Sequence, residues 1–200
     1  MFRCCCVSPE WRARWSAEHL FLPRFALDVS TFTVCARDLA ALARRISPRC
    51  AYLDLNLSSS SFGEDGVRTL VERLPAGLTR LALSFAGCKI GEAGARHLAE
   101  FLPPGLSNLT LDLQECEIGE GGARALAERL PQRLSSLSLN FSGFNIGERG
   151  AHAVAESLPQ ILSSLATITV YSTLTKFARI KVYMAVGYQW FNELIVANTL

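Results

Sequence analysis

The sequence predicts an α/β fold built as a solenoid: a curved stack of repeats with parallel strands on the concave side and helices on the convex side. Three observations predict it. The stretch Ile90-Gly91-Glu92-Ala93-Gly94-Ala95 has close copies at Phe62 to Val67, Ile118 to Ala123 and Ile146 to Ala151, each 28 residues from the next. A period of about 20 to 50 residues marks one supersecondary unit stacked on its neighbours. Upstream of each copy apolar residues alternate with polar ones, and downstream they recur at helical spacing. Curvature follows from two spacings: parallel strands sit about 4.8 Å apart, whereas packed helices need about 8–10 Å. The strands therefore take the inner side.

The chain divides into an N-terminal arm with a capping helix at 1–21, repeats at 22–165, and an atypical tail or cap at 166–200. Ser8-Pro9-Glu10 reads as an N-cap, a first-turn Pro and a first-turn acid. Trp11 and Trp15, four apart, share a face of the helix that follows and close the open end of the core. Phe25, Leu27 and Val29 alternate with Ala26 and Asp28 as in a half-buried strand, and helical spacing returns from Ala36 to Ile46. These two elements form a degenerate first repeat over 22–49.

The regular repeats occupy 50–165. Leu53/Leu55/Leu57, Leu81/Leu83/Phe85, Leu109/Leu111/Leu113 and Leu137/Leu139/Phe141 are strand cores in one register, preceded by Cys50, Leu78, Leu106 and Leu134. Gly63, Gly91, Gly119 and Gly147 end the turn after each strand. A helix follows, with Leu70, Leu98, Leu126 or Val154 and then Leu74, Leu102, Leu130 or Leu158 on one face. Pro75, Pro103, Pro131 and Pro159 stop it, because the residue before a Pro avoids the helical region. Gly66, Gly94, Gly122 and Gly150 recur in the first helical turn, where glycine costs up to about 1 kcal/mol. Their recurrence implies close approach of the helix start to the strand-side backbone.

The pattern L-x-x-L-x-L-x-L-x-x-C-x-I-G-E-x-G-A at Leu106 to Ala123 resembles a leucine-rich repeat of the ribonuclease-inhibitor-like subfamily. The resemblance covers 51–165 strongly and 22–50 more weakly. It implies a horseshoe segment and says little of chemistry. Ribonuclease inhibitor, the Ran GTPase-activating protein and the sensor regions of Nod-like receptors share the scaffold while differing in function.

The net charge of +2 is a sum of unlike parts: +4 over residues 1–50, −4 over 51–165 and +2 over 166–200. An acidic repeat body disfavours nucleic acid, whose backbone needs a basic face. Of the seven Cys, three are adjacent (Cys4, Cys5, Cys6), and Cys88 and Cys116 stand one period apart, as packing residues do. The odd count and the lack of a secretory-type apolar run argue for a reducing, cytoplasmic setting, and no segment has the apolar length of a membrane span. The Cys triplet is a weak acylation signal beside the plainer reading of an unstructured start.

Three constellations invite a catalytic or cofactor reading and fail it. Gly119-Glu120-Gly121-Gly122 opens a helix like a dinucleotide fingerprint, but Arg124 replaces the third glycine. Moreover, Glu64, Glu92, Glu120 and Glu148 in the first helical turns repel a phosphate. His19, His97 and His152 lack metal-ligand spacing. Ser58 to Ser61 lacks the glycines of a nucleophile elbow. The rows Glu64-Arg68-Glu72, Glu92-Arg96-Glu100 and Glu120-Arg124-Glu128 read as solvated helix faces.

From Ala166 onward the repeat fails. Thr167 and Thr169 stand where a 28-residue step puts apolar residues, while Ile168 and Val170 take the other phase, so the strand faces exchange.

No catalytic residue, cofactor or metal is expected, and the chain reads as a non-enzymatic module binding a protein or peptide. The alternative is a regulator of a small GTPase, or the sensor repeats of a larger receptor. The outward strand positions form two columns, Asp28, Asn56, Ser84, Asp112, Asn140 and Ala26, Asp54, Ala82, Thr110, Ser138. Both line the concave surface, and Gln114 and Glu115 extend it toward the rim. The expected contacts are Asp28, Asp54, Asn56, Ser84, Thr110, Asp112, Gln114, Glu115 and Asn140. The surface reads as small, polar and mildly acidic, without aromatic or Arg anchors, and suits a partner with a basic or polar face.

Overall fold

The computed structural model describes residues 23–31, 33–143, 146, 149–150, 152–154, 167–174, 178–185 and 196–198. The readings of Cys4 to Cys6, Trp11, Trp15, His19, Gly147, Glu148, Leu158 and Pro159 lie outside them. Strands and helices alternate: β1 (Arg24–Asp28), α1 (Ala36–Ala43), β2 (Tyr52–Asn56), α2 (Gly63–Val71), β3 (Arg80–Ser84), α3 (Gly91–Phe101), β4 (Asn108–Asp112), α4 (Gly119–Glu128) and β5 (Ser136–Phe141). Three further strands follow, β6 (Thr167–Leu174), β7 (Ala178–Ala185) and β8 (Val196–Asn198), and all eight form one sheet in chain order.

The pairing from β1 to β5 is parallel, with each residue opposite the one 28 positions on, as in Leu53↔Leu81 and Leu81↔Leu109. The sequence period is therefore the strand register itself. Alternation then puts every strand leucine on one face, where Leu53, Leu55, Leu81, Leu83, Leu109, Leu111, Leu137 and Leu139 are fully buried against the helices. From each helix Leu70, Leu98 or Leu126 enters the same core, and Phe62 meets Phe85 edge to face at 5.8 Å.

After each helix a buried Pro turns the chain back, with Leu78 N donating to Pro75 O at 3.1 Å and Leu106 N to Pro103 O at 3.3 Å. In the degenerate first repeat Ser47 takes this place, accepting from Cys50 N at 2.9 Å. A second contact between repeats lies just before each strand. The hydroxyls of Thr79, Ser107 and Ser135 each donate to the carbonyl one repeat back, Ala51, Thr79 and Ser107, at 2.9–3.0 Å. These carbonyls also accept two backbone N–H groups each, so the repeat junction is closed without side-chain bulk.

Two expectations are corrected. Gly94, Gly122 and Gly150 do approach a backbone closely, but it belongs to the preceding helix, whereas a Cβ on Gly66 would meet the Phe62 side chain. A Cβ on Gly122 would lie 2.9 Å from Ala95 Cβ and 3.5 Å from Glu92 Cα, and one on Gly150 would lie 3.2 Å from Glu120 Cα. Neighbouring helices touch at their first turns, and only a hydrogen fits between them.

The second correction concerns the tail. Strand β6 pairs parallel to β5 with Ser136 opposite Thr167, a step of 31 residues in place of 28. Three extra residues in the connection return Ile168 and Val170 to the columns of Leu137 and Leu139. No exchange of faces occurs, and the sheet continues past Leu165. Then β7 pairs antiparallel to β6, and β8 antiparallel to β7 over three residues. Among the described residues no helix is long and apolar enough to cross a membrane.

Candidate functional site

The strand face opposite the helices is open. Its polar columns lie side by side because parallel pairing sets Asp28 beside Asn56, Asn56 beside Ser84, Ser84 beside Asp112 and Asp112 beside Asn140. In the neighbouring column Ala26, Asp54, Ala82, Thr110 and Ser138 align the same way. Asp54, Asn56, Ser84, Asp112, Gln114 and Asn140 are half-buried, whereas Asp28, Thr110 and Glu115 are exposed.

The two columns differ in what their side chains already do. Asn140 Nδ2 donates to Asp112 Oδ1 at 2.9 Å, Ser84 Oγ donates to Asp112 Oδ2 at 3.3 Å, and Ser58 Oγ lies 2.9 Å from Ser84 Oγ. Each Asx in this column also takes a backbone N–H two residues on, from Ser30, Ser58, Gln114 or Ser142, at 2.9–3.3 Å. These are Asx turns that end the strands. The Ser30 hydroxyl and then its amide hold the Asp28 carboxyl below the usual carboxylate range. The column of strand ends is thus a ladder that fixes the turns. By contrast, among the described residues the Asp54 side chain has one hydrogen bond, accepted by a carboxylate oxygen from Tyr52 Oη at 3.2 Å.

Glu115 stands in the turn after β4 with φ +56°, in the column of Ser59 (φ +59°), Gly87 (φ +72°) and Gly143 (φ +91°). Its carboxylate is held at the rim by a left-handed backbone that non-glycine residues seldom adopt.

A third column, absent from the contacts expected from the sequence, lies one step upstream of the strand leucines. Arg24, Tyr52, Arg80, Asn108 and Ser136 are paired neighbours on the open face. The Arg24 guanidinium lies 5.1 Å from the Tyr52 ring centroid, a cation–π contact. The surface therefore does carry an aromatic group and two arginines, contrary to the expectation of none. The signal was in the sequence: the same 28-residue step that aligned Asp54 with Ala82 aligns Arg24 with Tyr52 and Arg80. Burial, then the charge of Asp54, pushes the Tyr52 phenol up, and the two arginines oppose that shift.

Together the columns bound an open depression of about 580 Å³, with Tyr52, Asp54, Arg80, Ser84, Thr110 and Asp112 in its lining. It is polarised. Arg80 stands at the strand-start end and Asp112, on the neighbouring strand, at the strand-end side, offset by about 13 Å along the strand direction from the rise of four residues.

The cysteines behave as packing groups. Cys88 and Cys116 are buried, and each thiol donates to a carbonyl of the preceding repeat, Leu57 O at 3.0 Å and Phe85 O at 2.9 Å. Burial pushes their thiols up to about 11 and about 12. In the corresponding position of the preceding repeat, buried Ser60 accepts from Val34 N at 3.2 Å. On the helices Arg96 pairs with Glu92 and Arg124 with Glu120, as spaced, but Arg68 pairs with Asp65 at 2.8 Å rather than with Glu64. All of these pairs are solvated and contribute little. Among the described residues, no group of three or more His, Cys, Asp or Glu is arranged to hold a metal ion.

No protein-family model matches the sequence, and no curated protein does. Among solved structures, the leucine-rich repeat-containing protein LegL7 from Legionella pneumophila is similar at 12% identity with a TM-score of 0.34. The match covers 74% of this chain and 56% of that protein, so this chain spans little more than half its length. The architecture rests on the register of β1 to β5 and the buried leucine columns. The fold is a leucine-rich-repeat solenoid. Its concave face carries the Arg24–Tyr52–Arg80 column, the Asp54 column and the Asx ladder, and its convex face carries the helices.

Proposed function

We propose that this solenoid, of the ribonuclease-inhibitor-like type, is a non-catalytic interaction module that holds a protein or peptide partner on its concave face in the cytoplasm. One observation carries the reading: three polar columns with an aromatic platform lie open on the sheet, while the apolar columns are spent in the core. Open, rigid, backbone-paired surfaces present side chains at fixed spacing, which suits recognition of an extended surface. Thr110, Glu115, Arg24 and Arg80 are exposed to a partner and Asp54 stands half-buried among them, while the ladder orients the Asp112 carboxylate and Asn140 on the same face.

The test is capture by the full chain of a partner from lysate, compared with a variant carrying Asp54→Lys, Thr110→Arg and Glu115→Lys. Loss of one specific captured protein with an unchanged thermal melt is the expected result. Capture that survives all three substitutions would move the binding surface to the helices or the N-terminal arm.

A further inference from the structure

We infer that the depression on the concave face takes a peptide segment carrying an acidic and a basic residue about four positions apart, lying along the strand direction. This rests on the concave-face reading above and specifies the ligand. Arg24 and Arg80 flank Tyr52 at the strand starts, on strands two apart, about 10 Å at the spacing of paired strands. Both arginines are exposed, and among the described residues neither forms an ion pair.

At the opposite end stand Asp112 and, in the following turn, Glu115. The hydrogen bonds that Asp112 accepts come from neutral donors, so they orient its carboxylate without neutralising it. Between the two ends lie Ala82 and Thr110, which leave the floor low, with Asp54 beside Ala82 on the neighbouring strand.

A face that was merely acidic would suit any basic partner. This face is a dipole with a fixed span. An extended peptide rises about 3.3 Å per residue, so side chains four positions apart point the same way and span the same offset along the strands as Arg80 and Asp112. The acidic side chain then meets Arg80 beside the Tyr52 ring, and the basic one, four positions on over Ser84, reaches Asp112 on the neighbouring strand and Glu115 in the turn that follows it. Asp54, tied to the Tyr52 hydroxyl, bars a second acid from the centre. Complementary placement of this kind sets register and excludes like-charged competitors.

The experiment is an amide-shift titration of the full ¹⁵N-labelled chain with four peptides of equal length: Glu and Lys four apart, Glu and Lys adjacent, two Lys four apart, and two Glu four apart. The first should bind roughly fivefold or more tighter than each of the others, with shifts centred on Tyr52, Arg80 and Thr110. In an Arg24→Gln, Arg80→Gln variant that preference should vanish, and added salt should weaken it in the parent. Equal binding of the first and second peptides, no binding by any of the four, or a preference that survives the double substitution overturns the inference. If the two-Lys peptide binds most tightly and still shifts Asp54 and Glu115, the concave-face reading stands and the dipolar ligand falls. Shifts confined to the helices sink both.

Discussion

Asn140 Nδ2 donates to Asp112 Oδ1 at 2.9 Å across the junction of β4 and β5. The same carboxylate accepts from Ser84 Oγ on the other side and from the backbone of Gln114. One acid thus joins three repeats. We predict that Asp112→Ala destabilises the fold by about 1–3 kcal/mol, because half-buried donors lose their acceptor. Asp112→Asn should cost less, since one amide oxygen still accepts. Urea unfolding of both variants measures this, and equal midpoints for parent and Asp112→Ala would mean that water replaces the ladder.

Gly122 has no room for a side chain beside Ala95 and Ile118. Glycine to alanine inside a helix ordinarily gains up to about 1 kcal/mol, but here overpacking opposes it by about 1–3 kcal/mol. Gly122→Val should therefore lower the melting temperature, and Gly122→Ala should fail to raise it. Gly77, which has nothing within 4 Å of a built Cβ, is the control. A melt for Gly122→Val like that of a Gly77→Ala chain would remove the helix-contact account.

Glu115 holds a left-handed conformation that costs a non-glycine residue about 1 kcal/mol, and Gly87 and Gly143 occupy the same turn position in adjacent repeats. Glu115→Gly is expected to stabilise the fold by up to about 1 kcal/mol, offset by greater freedom of the unfolded chain. If the rim charge serves binding, the same substitution weakens capture. A more stable variant with weaker capture is the expected pair of outcomes.

The buried thiols of Cys88 and Cys116, at about 11 and about 12, give stability a definite pH dependence. Their folded values lie above the unfolded value of about 8.5, so the folded state keeps protons that the unfolded state releases. Their contribution is fully present below about pH 8.5 and declines as pH rises toward the folded values, by up to about 1.4 kcal/mol per pH unit for each thiol. Urea midpoints measured from pH 8 to 10.5 should fall more steeply for the parent than for Cys116→Ala, although the latter starts lower. Parallel lines would show that the thiol is not the titrating group. Alkylation should reach half-exposed Cys35 before either buried thiol.

Removing residues 166–200 would strip β6 from six residues of β5, Ser136–Phe141, and leave a strand edge with unpaired backbone groups. We expect the 1–165 chain to aggregate or to melt at lower temperature, as open edges and uncapped repeats do. Size-exclusion chromatography decides it: a monodisperse 1–165 chain with the parent's melt would show that the tail does not cap.

The 28-residue step determined by itself the strands β1 to β5, the helices between them and the leucine columns of the core, because local period and strand register are one quantity in a stack of equal units. Arg24, Tyr52 and Arg80 are legible as a column by the same step, one residue upstream of the strand leucines. Tertiary structure decided the rest. Whether Asp112 is free for a partner or bound to Asn140 and Ser84 depends on rotamers and distances across strands, which no spacing encodes. The closeness of Gly122 to Ala95 depends on how far neighbouring helices approach. The tail kept its alternation of Ile168 and Val170, but a connection longer by three residues shifted the phase. Only backbone pairing with β5 could show that the shift sets Ile168 opposite Leu137 and Val170 opposite Leu139, because register is set between strands and not along one.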